Sequence, residues 1–224
     1  MANLSKSIIV SSVASVASLL DTQYNDIKQR LSDVANLSSK DKADLQAAST
    51  KVKYFTGLSS LISTNEKAVS SLYYIVKNAK AEPADLLKEI AINSYSLNKF
   101  GFMIRGIANG FYDYDLSDMS ASNIIAILDF IKDDKTKFTM RQYRDQMTSH
   151  KEKADKKADS GFTQTNQALK LCERLGIVSY TGGKISLGYG EYKINSENDL
   201  VKYLKSIFTK DKEKQKELDL AIAE

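Results

Sequence analysis

The sequence predicts a mainly α-helical protein carrying a small β-hairpin near its C-terminal end. Three observations support this. Apolar residues recur at helical spacing along most of the chain. Helix breakers are scarce, with one Pro and ten Gly in 224 residues, and both types are costly inside helices. One short stretch alternates as strands do, on either side of Gly182–Gly183.

The first helix is marked by Val13, Leu20, Ile27 and Val34 recurring every seven residues, with Ile9 and Val16 on the adjacent seam. That double stripe suits packing against partner helices. Gln23 and Arg30 interrupt the seam, which favours a bundle over a long two-stranded coiled coil. A second helix is expected from Ser39 through Leu45, Val52 and Phe55, weakened at Gly57. Ser63 and Glu66 then form a capping-box pattern that would start a third helix through Leu72 and Val76. Pro83 suits the first turn of a fourth, reaching Leu97. From Phe100 onward, Gly101, Gly106 and Gly110 alternate with aromatic and aliphatic residues, as in a close-packed or interrupted helix.

Asp113, Asp115 and Asp118 follow, and Ser120 and Ser122 offer an N-cap. Further helices are predicted over residues 123–133 and 139–149, the latter capped by Thr139. Residues 150–161, HKEKADKKADSG, are too charged to be core and read as helix extension or solvated loop. The next helix carries the apolar stripe Ala168, Leu169, Cys172, Leu175, and Gly176 ends it. Residues 177–180 and 184–187 are expected to pair around Thr181–Gly182–Gly183. Ser196 resembles the cap of a closing helix through Leu200 and Leu204, and a tail of mixed charge follows. The expected organisation is a helical bundle over 1–118, a second unit over 119–195, and a C-terminal helix and tail over 196–224.

The formal charge is +4, and its placement is uneven. Residues 120–195 hold 13 Lys and Arg against 9 Asp and Glu, whereas residues 1–119 hold 13 against 12. Such a mild excess permits contact with an anionic partner without requiring one. The lone Cys172 excludes an intrachain disulfide and fits a reducing, cytoplasmic setting. The opening MANLSKSIIVSSVASVASLL is broken by serines and falls short of the ~18–20 apolar residues of a membrane helix. It reads as the start of a helix, not as a leader, and no membrane partner is expected.

Little supports catalysis. His150 is the sole histidine and lies in a lysine-rich stretch expected to be exposed, so no buried base serves a nucleophile. Cys172 falls on an inward stripe. No phosphate-binding glycine loop is present. Asp113, Asp115 and Asp118 could gather around a cation, but a polar interhelical loop explains them better, and no metal or cofactor is expected. Tyr95, Phe100, Phe102, Phe111, Tyr112 and Tyr114 read as core before partner surface.

Residues 120–194 resemble the winged helix-turn-helix superfamily. Three helices precede a hairpin, and ALKLCERLGIVSYTGGKISL has the form of a helix ending in Leu-Gly-Ile-Val before a two-stranded wing. The resemblance covers about a third of the chain. It departs from the family where the charged stretch 150–161 replaces a tight turn. It implies that Gln164, Thr165, Gln167, Lys170 and Arg174 on the third helix would approach base edges. It also implies that Lys184 in the wing, with Lys151, Lys153, Lys156 and Lys157, would contact phosphates. The expected function is then non-enzymatic nucleic-acid binding directed at DNA, the N-terminal helices serving self-association or a protein partner. The alternative is a helical assembly protein whose winged unit touches protein.

Overall fold

The computed structural model describes residues 4–32, 36–109, 119–153 and 163–209. The protein is mainly helical, with one three-stranded antiparallel sheet in its C-terminal part. Helices α1 (Lys6–Leu31) and α2 (Ser39–Thr64) pack together, and α1 also rests on α3 (Glu66–Ala79) and α4 (Pro83–Ile92). The first half of the α1 stripe works as its spacing predicts, with Ile9, Val13, Val16 and Leu20 buried, whereas Ile27 is half-buried and Val34 lies outside the described residues.

Capping chemistry sets the ends of these helices. Ser38 and Asp41 form a reciprocal capping box, Ser38 Oγ accepting from the Asp41 N–H at 3.1 Å and Asp41 Oδ2 from the Ser38 N–H at 3.2 Å. So anchored, α2 runs unbroken through Gly57. The box expected at Ser63 and Glu66 does not form. Ser63 donates its hydroxyl back to the Ser59 carbonyl at 2.8 Å, and Asn65 caps α3 by accepting from the Ala68 N–H at 3.2 Å. Similarly, α4 stops at Ile92, because Asn93 is extended and its Oδ1 accepts from the Tyr95 N–H at 2.9 Å. Leu97 therefore belongs to the next helix.

That helix, α5 (Ser94–Asn109), is continuous through Gly101 and Gly106. Leu97, Phe100, Phe102, Met103, Ile104 and Ile107 are all buried in it, as a helix enclosed by neighbours requires. It packs on α2, α3 and α4, and on two later helices, α6 (Met119–Lys132) and α8 (Thr163–Arg174). One apolar cluster consequently runs from α1 to α9 (Asp199–Thr209), which packs on α3 and α6. Ser120 and Ser122 lie inside α6 instead of capping it, and the α9 cap is Asn198, not Ser196, accepting from the Leu200 N–H at 2.8 Å. Asp113, Asp115, Asp118, Phe111, Tyr112 and Tyr114 lie outside the described residues.

After α6 come β1 (Lys137–Thr139), α7 (Met140–Lys153), α8, β2 (Val178–Gly182) and β3 (Glu191–Ile194), with strand order β1-β3-β2. Thr139 caps α7 reciprocally with Gln142, at 3.2 and 2.9 Å. The hairpin register differs from the sequence reading. Residues Ile185–Leu187 form a 3-10 turn, and β2 pairs instead with β3, Val178 facing Ile194 and Tyr180 facing Tyr192. Gly188, at φ 79°, ends that turn, and the buried alternation of Tyr192 and Ile194 fixes β3. Strand β1, not expected from the sequence, covers the other edge of β3, with Phe138 opposite Tyr192.

His150 also corrects the reading. It is buried on α7, its Nε2 is 2.6 Å from Asp129 Oδ2 on α6, and Gln146 Nε2 donates to the same oxygen at 2.7 Å. Burial alone would raise the Asp129 pKa, but the hydrogen bonds from His150 and Gln146 outweigh it and hold the carboxyl below its ordinary 3.8. A carboxyl lowered on folding stabilises the fold above its unfolded value, and that contribution is lost as pH falls through the folded one. Asp129→Asn is expected to lower the urea midpoint at pH 7 by an amount equivalent to roughly 1–3 kcal/mol. The gap between variant and wild type should close as pH drops below about 4; a gap that stays constant would show that the carboxylate charge plays no part.

Candidate nucleic-acid interface

Helix α8 forms because Ala168, Leu169, Cys172 and Leu175 give it one buried stripe. Its end is a Schellman motif: Gly176 at φ 73° lets its N–H reach the Glu173 carbonyl at 3.0 Å and the Ile177 N–H reach Cys172 at 2.8 Å. Cys172 is fully enclosed, and burial pushes its thiol up to about 12, so it holds no thiolate at neutral pH. The chain then turns directly into β2, which places the 182–190 wing loop beside the exposed face of α8.

The two ends of that face are tied to the N-terminal helices. Near the start, the buried Lys99 of α5 donates from Nζ to Gln164 Oε1 at 2.6 Å. Near the end, Arg174 forms a two-pronged pair with Glu89 of α4, at 2.7 and 2.6 Å. The Arg174 guanidinium bonded to Glu89 holds that carboxyl below its usual range. The pair is solvent-exposed, so it is worth about 0–1 kcal/mol and orients more than it stabilises.

Between these ties lies a cleft of about 700 Å³. Its walls are Asn93 and Ser96 from the α4–α5 corner, Asn166, Gln167 and Lys170 from α8, and Tyr180, Lys184, Ile185 and Ser186 from the wing. Among the described residues, two amines and no carboxylate line it. Glu173, one position before Arg174, is turned to the backbone, its Oε1 accepting from the Tyr180 N–H at 3.2 Å. Beneath the α8 face, Thr165 Oγ1, Asn166 Oδ1 and Gln167 Oε1 are shut off from solvent with no hydrogen-bond partner among the described residues. Polar atoms left in that state cost free energy until a ligand group or a water reaches them.

No known family, curated protein or solved structure matches the chain. The site is therefore read from its own chemistry.

The expected set of base- and phosphate-contacting residues is divided by the structure. Gln167, Lys170 and Lys184 come together in the cleft. Thr165 does not face outward; it is fully buried where α8 packs on the bundle, so its hydroxyl is not presented to a ligand. Gln164 and Arg174 are engaged by Lys99 and Glu89. Lys151 and Lys153 sit in the last turn of α7, and Lys156 and Lys157 lie outside the described residues. The lining residues that the sequence reading passed over are Asn93, Ser96, Asn166, Tyr180, Ile185 and Ser186. The cluster Asn93-Ser-Tyr-Ser96 did carry a punctuation signal, since Asn and Ser gather where helices break.

Among the described residues, no group of three His, Cys, Asp or Glu could hold a metal ion, and no helix is long and apolar enough to cross a membrane.

Proposed function

We propose that this chain is a non-enzymatic nucleic-acid-binding protein, directed at DNA, that holds its ligand in the cleft between α8 and the wing. The observation that carries the reading is the convergence of Lys170, Lys184 and Gln167 on a cleft that no carboxylate lines among the described residues. Ammonium groups bind phosphates as point charges, and the amide nitrogen of Gln167 can donate to an acceptor on a base edge. The winged-helix reading draws support from three helices, α6, α7 and α8, followed by an antiparallel pair whose loop flanks the third helix.

Fluorescence anisotropy of a labelled oligonucleotide at about 50 and 200 mM salt tests this. Binding should weaken steeply with salt, because each phosphate contact releases a counterion. Lys170→Ala with Lys184→Ala should weaken binding about ten-fold or more and flatten the salt slope by about two contacts. Absence of binding at 50 mM salt would sink the proposal.

A second reading, a helical assembly protein, is favoured by one feature. Ile92 is 76% exposed beside Leu19, which is 40% exposed, in a groove that α1 and α4 share. Large apolar side chains so placed are characteristic of protein contact. The same titration separates the two, since an assembly protein shows no salt-dependent oligonucleotide binding.

A further inference from the structure

We infer that the cleft takes a single strand of nucleic acid and not a duplex, an inference that rests on the nucleic-acid reading above. A helix that reads duplex DNA must enter a major groove about 12 Å wide, with a phosphate ridge passing on each side of it. Helix α8 is flanked on both sides. The α4–α5 corner, with Asn93 and Ser96, stands along one edge, and the wing loop, with Lys184 to Ser186, stands along the other. The ties Lys99–Gln164 and Arg174–Glu89 hold α8 against the bundle at points ten residues apart, about 15 Å along the helix. Ridges of a duplex would meet protein on either flank before base edges reached Gln167.

A single strand meets no such obstacle. A cleft of about 700 Å³ falls in the range that encloses a compact ligand, roughly 300–1,000 Å³, enough for a nucleotide or two. Its described walls carry what single-strand binding uses, namely amines that contact the backbone and an aromatic face on which a base can stack. Tyr180 lines the cleft with its ring 40% exposed, and its hydroxyl donates to the Gly183 carbonyl, which fixes the ring along the wall. The amide nitrogens of Asn166 and Gln167, two residues that line the cleft, can donate to the Watson–Crick edges that only an unpaired base offers.

The test is anisotropy at about 50 mM salt with a labelled single-stranded DNA, the RNA of the same sequence, and the annealed DNA duplex. A single strand, of either sugar, should bind at least ten-fold tighter than the duplex, and the tighter of the two names the sugar. Tyr180→Ala should lose about ten-fold for the single strand, and Tyr180→Phe, which keeps the stacking face but loses the bond that fixes it, should lose clearly less. Lys170→Ala, on the exposed face of α8, provides a variant with no folding consequence and should weaken the same strand. Duplex binding equal to or tighter than single-strand binding overturns this inference and leaves the nucleic-acid reading standing. Binding of none of the three overturns both. Single-strand binding untouched by both Tyr180→Ala and Lys170→Ala overturns the cleft as its site.

Discussion

Phe138→Ala is expected to lower stability by about 3–5 kcal/mol, the largest effect of any single truncation considered for the C-terminal part. Phe138 is 2% exposed on a strand of three residues, and its ring is in contact with three others drawn from three elements. Phe130 of α6 lies 4.9 Å away between ring centres, Tyr192 of β3 stacks at 5.6 Å, and Tyr143 of α7 lies at 6.0 Å. Tyr143 is in turn fixed by donating its hydroxyl to the Asn123 carbonyl at 2.8 Å. Alanine would leave a cavity where α6, α7 and the sheet meet, and such rings are too large for neighbours to collapse around the gap. The loss should appear as a lower urea midpoint and a fall in Tm of roughly 6–20 °C. Phe138→Leu, which keeps most of the volume, should cost less than half as much. A cost below about 1 kcal/mol for the alanine variant would show that β1 does not seal this core.

Strand β1 also marks how far the sequence could be read. Helix α1, the proline at the start of α4, the Thr139 cap and the glycine stop of α8 were all legible, because each depends on residues within a turn or two of one another. Lys-Phe-Thr at 137–139 is too short to show alternation, and it becomes a strand only because Tyr192 supplies a partner fifty-odd residues later. The wing failed for the same reason. Lys184 to Leu187 alternates as well as Glu191 to Ile194 does, and what selects the latter is the Phe138–Tyr192 stack, a long-range contact. His150 sits among lysines, and only the folding of α7 against Asp129 buries it. The candidate site divides along the same line. Gln167, Lys170 and Lys184 were legible from the α8 and wing patterns, whereas the facing wall at Asn93 and Ser96 comes from some 70 residues earlier. Thr165 reads as outward because a helix preceded by polar residues gives no sign of a bundle packed over its first turn.

Gly183→Ala is expected to separate binding from stability. Gly183 has φ 88°, a conformation that an L side chain adopts only with strain of about 1–3 kcal/mol. Space is a second obstacle: a Cβ there would lie 2.9 Å from the Tyr189 carbonyl carbon and overlap its oxygen, which is backbone and cannot rotate aside. The loop between Gly183 and Gly190 would have to open, and with it the carbonyl that receives the Tyr180 hydroxyl. Because the loop lies outside the aromatic core around Phe138, the urea midpoint should move less than in Phe138→Ala. Single-strand affinity should nevertheless fall about ten-fold or more, since both Tyr180 and Lys184 leave the cleft wall. Gly182→Ala is the internal control. Its φ of 144° is also positive, but nothing lies within 4 Å of the added carbon, so it carries backbone strain without the collision. Its affinity should fall less than that of Gly183→Ala. Equal losses in the two variants would mean that backbone strain alone controls the wing. No loss in either would mean that the path of the loop past Tyr189 does not shape the cleft.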